Sequence, residues 1–452
     1  MSTGQTTPQP SPEGTGRAGT SNAEREVADL CRDLIRIDTS NYGDSSGPGE
    51  RSAAEYVMDK LTEVGLNPEL IESEPRRASV VVRIEGANPA REALLVHGHL
   101  DVVPADASDW KVDPFAGEVL EDCVWGRGAV DMKDMDAMML AVLRQRVREG
   151  RKPPRDTVFA WLADEESGSD KGARWLVENR PELFEGCTEA VSEVGGFSYT
   201  VRDDLRLYLI ETAQKGMGWM KLTARGRAGH GSMVNRENAV TALAEAVGRI
   251  GRYEWPVRRT ATVDRFLGEL AQAMDIELDP DNAEQLVAEL GSLSRIIAAT
   301  LRNSAAPTRL AAGYKTNVIP QVATAEVDGR FLPGYEDEFI STIDELLGPD
   351  VKREWLHHDI ALETTFDGAL VEAMSASLLA EDPGARPIPY CLSGGTDNKA
   401  FSLLGMRGFG FSPLQLPPEL DFSGMFHGVD ERVPIGGLKF GVRVLDRFLT
   451  AS

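Results

Sequence analysis

The chain has 452 residues, of which 42% are hydrophobic and 27% are charged, and its formal net charge at pH 7 is −24. This length exceeds what one hydrophobic core usually supports, so we expect two or three domains. The negative charge would repel phosphate backbones and anionic lipid surfaces, and no apolar run approaches the roughly 18 residues of a membrane span. We therefore expect no nucleic-acid partner and no membrane partner.

The N-terminal segment is rich in Ser, Thr, Gly and Pro, and it lacks the apolar stretch of a secretion signal. We expect residues 1–22 to form a disordered tail. The cysteines are widely spaced and form no C-x-x-C pair; they are Cys31, Cys123, Cys187 and Cys391. This spacing favours free thiols in a reducing compartment, and therefore a cytoplasmic protein.

Two amphipathic helices are predicted at 23–37 and 52–64, where apolar residues recur at helical spacing. Strand-like apolar runs follow, separated by helical stretches such as 134–149 and 172–179. The runs are "ASVVVRIEG", "ALLVHGHLDVV", "DTVFAWLAD" and "EAVSEVGG". Near-continuous apolar strands that alternate with helices are typical of an α/β domain with a mainly parallel central sheet flanked by helices. We expect the first part of this domain at 23–211.

The pattern changes after Glu211. The elements then follow in the order strand, helix, two strands, helix, strand, which is typical of a small ferredoxin-like α+β unit. We expect this unit to be inserted at 212–362. It contains extra helical sequence at 252–304, and the sequence does not show what that stretch does. The chain then returns to the first domain at 363–452, where a final amphipathic helix is predicted at 435–449.

The run "LLVHGHLDVV", residues 94–103, carries polar side chains within an apolar strand. His97, His99 and Asp101 are two residues apart, so a strand would place them on one face. Burying an imidazole or a carboxylate without a partner costs roughly 1–3 kcal/mol, so the fold must supply partners, a cavity or a metal ion. The run therefore predicts a site. A single strand histidine is more often a core residue, and we interpret His97 in that way.

Other polar side chains lie at or just after the carboxyl ends of predicted strands, where open α/β sheets bind their ligands. They are Asp131 in "GRGAVDMK", Glu165 and Glu166 in "WLADEESGS", and Glu193 in "VSEVGG". His427 lies in a loop before the final helix. Together with His99, these residues offer two imidazoles and several carboxylates, which suit zinc and also cobalt or manganese.

Each of these signals has a plainer explanation when it is taken alone. Glu165 and Glu166 could belong to a solvated surface, and Asp131 could cap the helix that follows it. The sequence contains no H-E-x-x-H zinc motif and no G-x-x-x-x-G-K-[ST] phosphate loop that would settle the chemistry.

The ordered set of motifs is far more specific than any one of them. In chain order the sequence carries "GHLDVVP", "WGRGAVDMK", "DEESGS", "SEVGG", "GHGS", "TNVIP", "DGRFLPG", "SGGTD" and "FHGVDE". From about residue 23 to the end, this set resembles the co-catalytic zinc peptidase family of aminoacylase-1, carboxypeptidase G and succinyl-diaminopimelate desuccinylase. The resemblance implies an α/β catalytic domain with an inserted lid or dimerisation domain.

The resemblance also implies two zinc ions per chain. His99 would bind one ion and His427 the other, and Asp131 would bridge the two. The remaining ligands would be Glu166 and Glu193. The peptide bond after Asp131 would be cis, as is common in this family.

Roles in catalysis follow from the same resemblance. Glu165 would be the general base, and Asp101 would accept a hydrogen bond from His99 and so fix its tautomer. His230 would stabilise the oxyanion, and in dimeric members it arrives from the other subunit. The substrate's carboxylate would be bound by residues of the inserted domain and of "SGGTD": Asn317, Arg330, Gly395 and Thr396.

We therefore expect a dinuclear zinc hydrolase that cleaves the amide bond of an N-acyl amino acid or of a short peptide with a free carboxylate. Its partners would be this small-molecule substrate and a second copy of the chain, bound through the inserted domain. Two other interpretations stay open. One is a binding or regulatory protein that keeps the fold without catalysis, and the other, which is less favoured, is a two-metal phosphoesterase.

Overall fold

The structure, a computed structural model, describes residues 21–452 except 203, 276, 278–282, 289 and 291–293. The predicted tail lies outside the described residues up to residue 20. The first helix begins at Asn22, where the Ser21 side chain accepts a hydrogen bond from the Glu24 backbone at 3.2 Å and the Glu24 carboxylate accepts one from the Ser21 backbone at 3.0 Å. This reciprocal pair satisfies two backbone donors and fixes the start of the fold.

Helices occupy Asn22–Ile35 (α1), Arg51–Thr62 (α2), Lys133–Arg148 (α3), Ala173–Asn179 (α4), Ala239–Arg252 (α5), Ala261–Met274 (α6), Ala283–Ala288 (α7), Ser294–Ala298 (α8), Glu336–Leu347 (α9), Ala369–Glu381 (α10), Asn398–Ser402 (α11) and Ile435–Ala451 (α12). None of the helices in the described part of the chain is long and apolar enough to cross a membrane.

Strands occupy Glu69–Glu74 (β1), Arg77–Ile84 (β2), Ala93–His99 (β3), Glu118–Leu120 (β4), Cys123–Trp125 (β5), Thr157–Leu162 (β6), Cys187–Ser192 (β7), Phe197–Arg202 (β8), Leu205–Gln214 (β9), Gly216–Arg225 (β10), Gly229–His230 (β11), Ser304–Ala312 (β12), Val318–Ile319 (β13), Val322–Phe331 (β14), Val351–Asp359 (β15), Leu362–Glu363 (β16), Arg386–Leu392 (β17), Arg407–Gly410 (β18) and Arg432–Pro434 (β19).

The main sheet has the strand order β1-β2-β6-β3-β7-β18-β9-β16, and β8 and β17 also pair with β9. Its centre, β6-β3-β7-β18, is parallel, whereas β1, β2, β8 and β16 pair antiparallel. The sheet is therefore mixed, with the expected parallel strands at its centre. Because side chains alternate along a strand, Leu94 and Val96 join the core with α1, α3 and α12, and Leu95 joins the opposite core with α4 and α11.

A second, antiparallel sheet has the order β12-β14-β10-β15. Buried side chains alternate with partly buried ones along β14, because one face of the sheet packs against α5 and α9 and the other face does not. Of the two strands that the pattern predicts between the helices of this unit, the sequence places only "ATAEVDGRFLPG", which covers nearly all of β14; the other is β12. Helices α6 to α8 fall within the stretch of extra helical sequence, and their apolar side chains, such as Phe266 and Leu270, lie in the core of the main sheet instead.

Candidate metal centre

The candidate ligands gather at the carboxyl edge of the parallel strands. β3 pairs in parallel with β6 and β7, so the three strands end at the same edge of the sheet. His99 is the last residue of β3, Glu165 and Glu166 lie in a short 3-10 turn after β6, and Glu193 follows β7 directly. The fold therefore brings these side chains together from positions that are far apart along the chain.

The first set of side chains surrounds the buried imidazole of His99. Its Nε2 lies 3.1 Å from Oδ1 of Asp131 and 3.4 Å from Oε2 of Glu193. One ligand atom from each of these three residues lies within 4.8 Å of the other two. The arrangement supplies one nitrogen and two carboxylates.

The second set shares Asp131 with the first. Nε2 of His427 lies 3.3 Å from the other carboxylate oxygen of Asp131, Oδ2, and 3.2 Å from Oε2 of Glu166. Asp131 thus presents one oxygen to each set. The His427 side chain is 57% exposed, so this set is the one that faces solvent.

The donor chemistry of both sets fits a divalent metal. Each set combines an imidazole nitrogen with carboxylate oxygens, as zinc and similar ions prefer. Glu166 also has an oxygen, Oε1, that is buried and makes no hydrogen bond among the described residues. An orphaned buried carboxylate oxygen is costly unless it meets a cation.

The electrostatics of the cluster lead to the same conclusion. Burial raises the pKa of Glu193 to about 7 and raises the pKa of Glu165 well above its usual value, and neighbouring carboxylates add to both effects. Hydrogen bonds to Asp131 and Glu166 raise the pKa of His427 to about 10. The carboxylates would share protons here in the absence of other positive charge, and bound cations would replace those protons.

Asp101 organises the cluster through a contact that differs from the expected one. Nδ1 of His99 lies 2.9 Å from the main-chain carbonyl oxygen of Asp101, whereas the nearest carboxylate oxygen lies at 3.7 Å. The carboxylate instead accepts from the backbone N–H groups of Glu165 at 3.0 Å and Glu166 at 3.1 Å. It also accepts from the Asn41 side chain at 2.9 Å. Asp101 therefore fixes both the imidazole and the turn that carries the two glutamates.

A buried ion pair that sequence reasoning missed joins the loops of Asp131 and His427. Arg127 donates to the Glu431 carboxylate at 2.8 Å and to the Gly428 carbonyl oxygen at 2.8 Å. Glu431 also accepts from the backbone N–H of Val130 at 3.2 Å. The peptide bond between Asp131 and Met132 is cis, as the resemblance implied.

His97 lies outside the cluster, in the apolar core. Its Nε2 is 3.0 Å from Oδ1 of Asn398, and its ring lies against Phe401 with the ring centroids 4.8 Å apart. Burial lowers the pKa of this imidazole to about 4. The side chain is therefore a neutral core histidine, as predicted.

A cavity of about 420 Å³ lies between the cluster of candidate ligands and the second sheet. Sequence-predicted residues in its wall are Asp131, Glu165, Glu166, Glu193, Arg330, Gly395, Thr396 and His427. Residues that the sequence did not single out include Phe197, Trp219, His357, Tyr390, Lys399 and Phe426. These residues reach the cavity only because the two sheets face each other, and the motifs do not encode that packing.

Arg330 lies in the cavity wall with its guanidinium oriented by a neighbour on the same strand. Its Nε lies 2.7 Å from Oδ1 of Asp328, and its Nη2 lies 3.2 Å from Oδ2. The Thr396 hydroxyl accepts from the Gln214 side chain at 2.7 Å, so it too is held in place.

His230 and Asn317 are not among the residues that line the cavity. His230 ends β11 and Asn317 directly precedes β13, and the Gly231 backbone donates to the Asn317 carbonyl oxygen at 2.9 Å. Both side chains are exposed, and His230 Nδ1 is 2.8 Å from the Ser232 hydroxyl. This structure thus brings the two residues close to each other but not into the cavity beside the candidate ligands.

Comparison with known proteins identifies the family. The model of peptidase family M20/M25/M40 matches residues 95–451. The chain belongs to this family. M20 enzymes are hydrolytic and metal-dependent, typically with zinc, and the match therefore confirms the expected class of enzyme.

Among curated relatives, N-fatty-acyl-amino acid synthase/hydrolase PM20D1 of Xenopus tropicalis is 28% identical over 435 residues, which cover 90% of this chain and 82% of the relative. Human aminoacylase-1 is 25% identical over 440 residues, 95% of each chain. A solved M20 family metallo-carboxypeptidase from Sulfolobus solfataricus superposes with a TM-score of 0.72 at 18% identity, and the match covers 94% of this chain and 99% of that one. The last comparison confirms the M20 fold.

Proposed function

We propose that this M20 enzyme hydrolyses the amide bond of N-acyl amino acids, or of short peptides, that carry a free carboxylate, and that it does so with two zinc ions per chain. The observation that carries the proposal is the geometry of Asp131, whose two carboxylate oxygens face two different sets of imidazole and carboxylate ligands. The cavity beside these sets also contains the guanidinium of Arg330, which suits a substrate carboxylate.

The residues of each set assign the ligands. His99, Asp131 and Glu193 would hold one ion, and Asp131, Glu166 and His427 the other. Zinc is the ion we favour, and cobalt or manganese would also suit these donors. When bound, the ions would polarise the amide carbonyl of the substrate and lower the pKa of a water molecule.

Glu165 is the proton carrier in this proposal. Its Oε2 lies 4.0 Å from Nε2 of His99, so it borders the first set without being part of it. The Asp101 carboxylate holds the backbone of Glu165, which fixes where the side chain starts. Glu165 would take a proton from the attacking water and deliver it to the nitrogen of the leaving amine.

The residues that line the cavity offer two kinds of contact that would orient the substrate. Some are apolar, such as Val194, Phe197 and Phe426, and the Tyr390 hydroxyl is already used in a 2.5 Å hydrogen bond to the Val194 carbonyl oxygen. These residues suit an apolar acyl group. The lining also contains Arg330 with Gly395 and Thr396, where we place the free carboxylate.

The second sheet would act as a lid and as a dimerisation surface. His230 and Asn317 lie outside the cavity, so they need either closure of the lid or a second copy of the chain to meet the substrate. Strand β12 is an edge of its sheet, Tyr314 just after it is 85% exposed, and Val234, after β11, is 94% exposed. An exposed edge with apolar side chains favours a homodimer. All four cysteines are free, and we place the enzyme in the cytoplasm.

A substrate panel tests this function. Zinc-loaded enzyme is assayed with N-acyl amino acids, dipeptides and phosphoesters, then dialysed against a chelator and reloaded with zinc or cobalt. We expect amide hydrolysis that chelation abolishes and metal restores. Tight binding of these compounds without hydrolysis would favour a binding protein, and hydrolysis of phosphoesters alone would favour a phosphoesterase; either result contradicts the proposal.

A further inference from the structure

The cavity wall contains a second cation, Lys399, besides Arg330. Lys399 lies in the short helix α11 and is only 3% exposed. Its Nζ donates one hydrogen bond, to the main-chain carbonyl oxygen of Lys215 at 2.8 Å, and lies 4.0 Å from Oδ2 of Asp359. An ammonium group has three donors. Among the described residues, two of those donors have no acceptor at hydrogen-bond distance.

Lys215 shows what a structural lysine needs in the same neighbourhood. It is equally buried, and its Nζ donates to the carbonyl oxygens of Ala299 at 3.0 Å and Arg302 at 2.8 Å, with the Ser304 hydroxyl at 3.4 Å. All three donors of Lys215 therefore have an acceptor, and Lys215 does not line the cavity. The contrast matters because an unpaired buried charge is costly.

The anions and cations around Lys399 leave its positive charge only partly balanced. Asp359 lies near it but is already paired with Arg174 at 2.6 Å. Burial lowers the pKa of Lys399 to about 8; Asp359 and Glu165 oppose this shift, and the charge of Arg330 adds to it. An anion that entered the cavity between Lys399 and Arg330 would balance the positive charge of both side chains.

The position of Lys399 also joins it to the residues proposed to hold the carboxylate. A Cβ atom placed on Gly395 would lie 2.6 Å from the lysine Nζ, so the ammonium lies directly against the "SGGTD" backbone. Arg330 has its Nε and Nη2 turned toward Asp328, which leaves its Nη1 side for a ligand. One carboxylate could therefore meet both cations.

We propose that Lys399 is a specificity-determining residue that binds the substrate's free carboxylate together with Arg330. This inference rests on the proposed function, and it adds a residue to that function. The bound carboxylate would accept the hydrogen-bond donors of Lys399 that the protein leaves unused. If Lys399 only supported the "SGGTD" loop, its substitution would instead lower kcat/KM equally for all substrates.

The test compares an N-acyl amino acid with its C-terminal carboxamide, for example N-acetyl-L-methionine and its amide, on the zinc-loaded enzyme. Lys399→Met removes the charge and the donor, Lys399→Gln removes the charge and keeps a hydrogen-bond donor, and Lys399→Arg restores a charge. Lys215→Met is the matched control, because it makes the same change at the buried lysine outside the cavity and keeps the main-chain carbonyl that Lys399 uses. Thermal melting identifies variants that fold.

We expect the folded neutral variants at Lys399 to lose about 10- to 100-fold in kcat/KM for the free acid, mainly through KM, and to change by less than about threefold for the amide. Lys399→Arg should recover part of the loss. Lys215→Met should lower the melting temperature and keep the wild-type ratio of acid to amide.

Equal losses for acid and amide in Lys399→Gln, or no loss for either, would overturn the role of Lys399. If Lys399→Met does not fold, Lys399→Gln decides the question alone. Should wild-type enzyme hydrolyse neither compound nor any other N-acyl amino acid or peptide, the proposed function itself would be wrong, and the two failures are thereby distinguished.

Discussion

Glu165 borders the candidate metal sets without belonging to either of them. Its Oε2 is 4.0 Å from Nε2 of His99, whereas the corresponding oxygen of Glu193 is at 3.4 Å. Glu165→Gln should therefore keep the fold and the bound metal, because the amide has the same shape and replaces no ligand. Turnover should fall by roughly 100- to 10,000-fold, the usual contribution of a positioned proton-transfer group. Steady-state kinetics and metal analysis of the same sample measure both quantities.

The exposed residue Glu118 on β4 provides the control, since Glu118→Gln makes the same chemical change away from the cavity. That variant should match the wild type. Turnover of Glu165→Gln within a few-fold of the wild type would place the proton carrier elsewhere, and loss of metal from it would make Glu165 a ligand.

At the scale of single residues, the sequence predicts side chains that stand in motifs and misses those that matter through distant contacts. His99 lies at the end of an apolar run, and Asp131 and Glu193 stand in the motifs "GRGAVDMK" and "VSEVGG"; these signals are visible in the sequence alone. Lys399 donates a hydrogen bond to the Lys215 carbonyl oxygen, 184 residues away in sequence, and no periodicity in the sequence predicts such a contact. The carboxylate of Asp101 likewise holds backbone N–H groups that only the folded turn brings to it.

At the scale of elements, periodicity predicts most helices and strands, and the exceptions have physical causes. Helix α1 lies at Asn22–Ile35, close to the predicted 23–37, because its apolar face repeats regularly. Strand β12 was not located, since "SAAPTRLAA" is rich in Ala and contains Pro307, which suits only an edge strand. It forms because β14 supplies the partner, with a shift of register next to Pro307.

The edge position of β12 and the distance of His230 from its own cavity lead to a prediction about subunits. If the histidine acts across a dimer, mixing inactive Glu165→Gln subunits with inactive His230→Ala subunits should restore activity, because a mixed dimer has one complete site. Random exchange of equal amounts should restore about a quarter of the wild-type activity. Kinetics after exchange measure this recovery.

The control for subunit mixing is the chain that carries both substitutions, because it cannot complement either single variant. Exchange itself is confirmed by mass spectrometry of intact dimers in which one variant carries a heavier isotope. Confirmed exchange without recovery would mean that His230 acts within its own chain, through closure of the second sheet over the cavity.

At the scale of the whole molecule, the cavity between the two sheets joins the candidate metal ligands to the cations that would hold the substrate. Although the chain has a net charge of −24, Arg330 and Lys399 line the same cavity as the acidic cluster. The sequence could predict this combination only through the resemblance to a family, because composition and periodicity do not say how two sheets face each other. The proposed chemistry depends on this pairing of metal and cation.

Elemental analysis of the purified protein tests the central claim, a dinuclear centre, most directly. The wild type should contain about two zinc ions per chain, and the double variant His99→Ala, Asp131→Ala should contain essentially none, because both sets lose a ligand. His427→Ala should retain about one ion, since it belongs to one set only. His358→Ala, at an exposed histidine paired with Glu336, is the control and should keep both ions. Metal content in the double variant equal to that of the wild type would contradict the account.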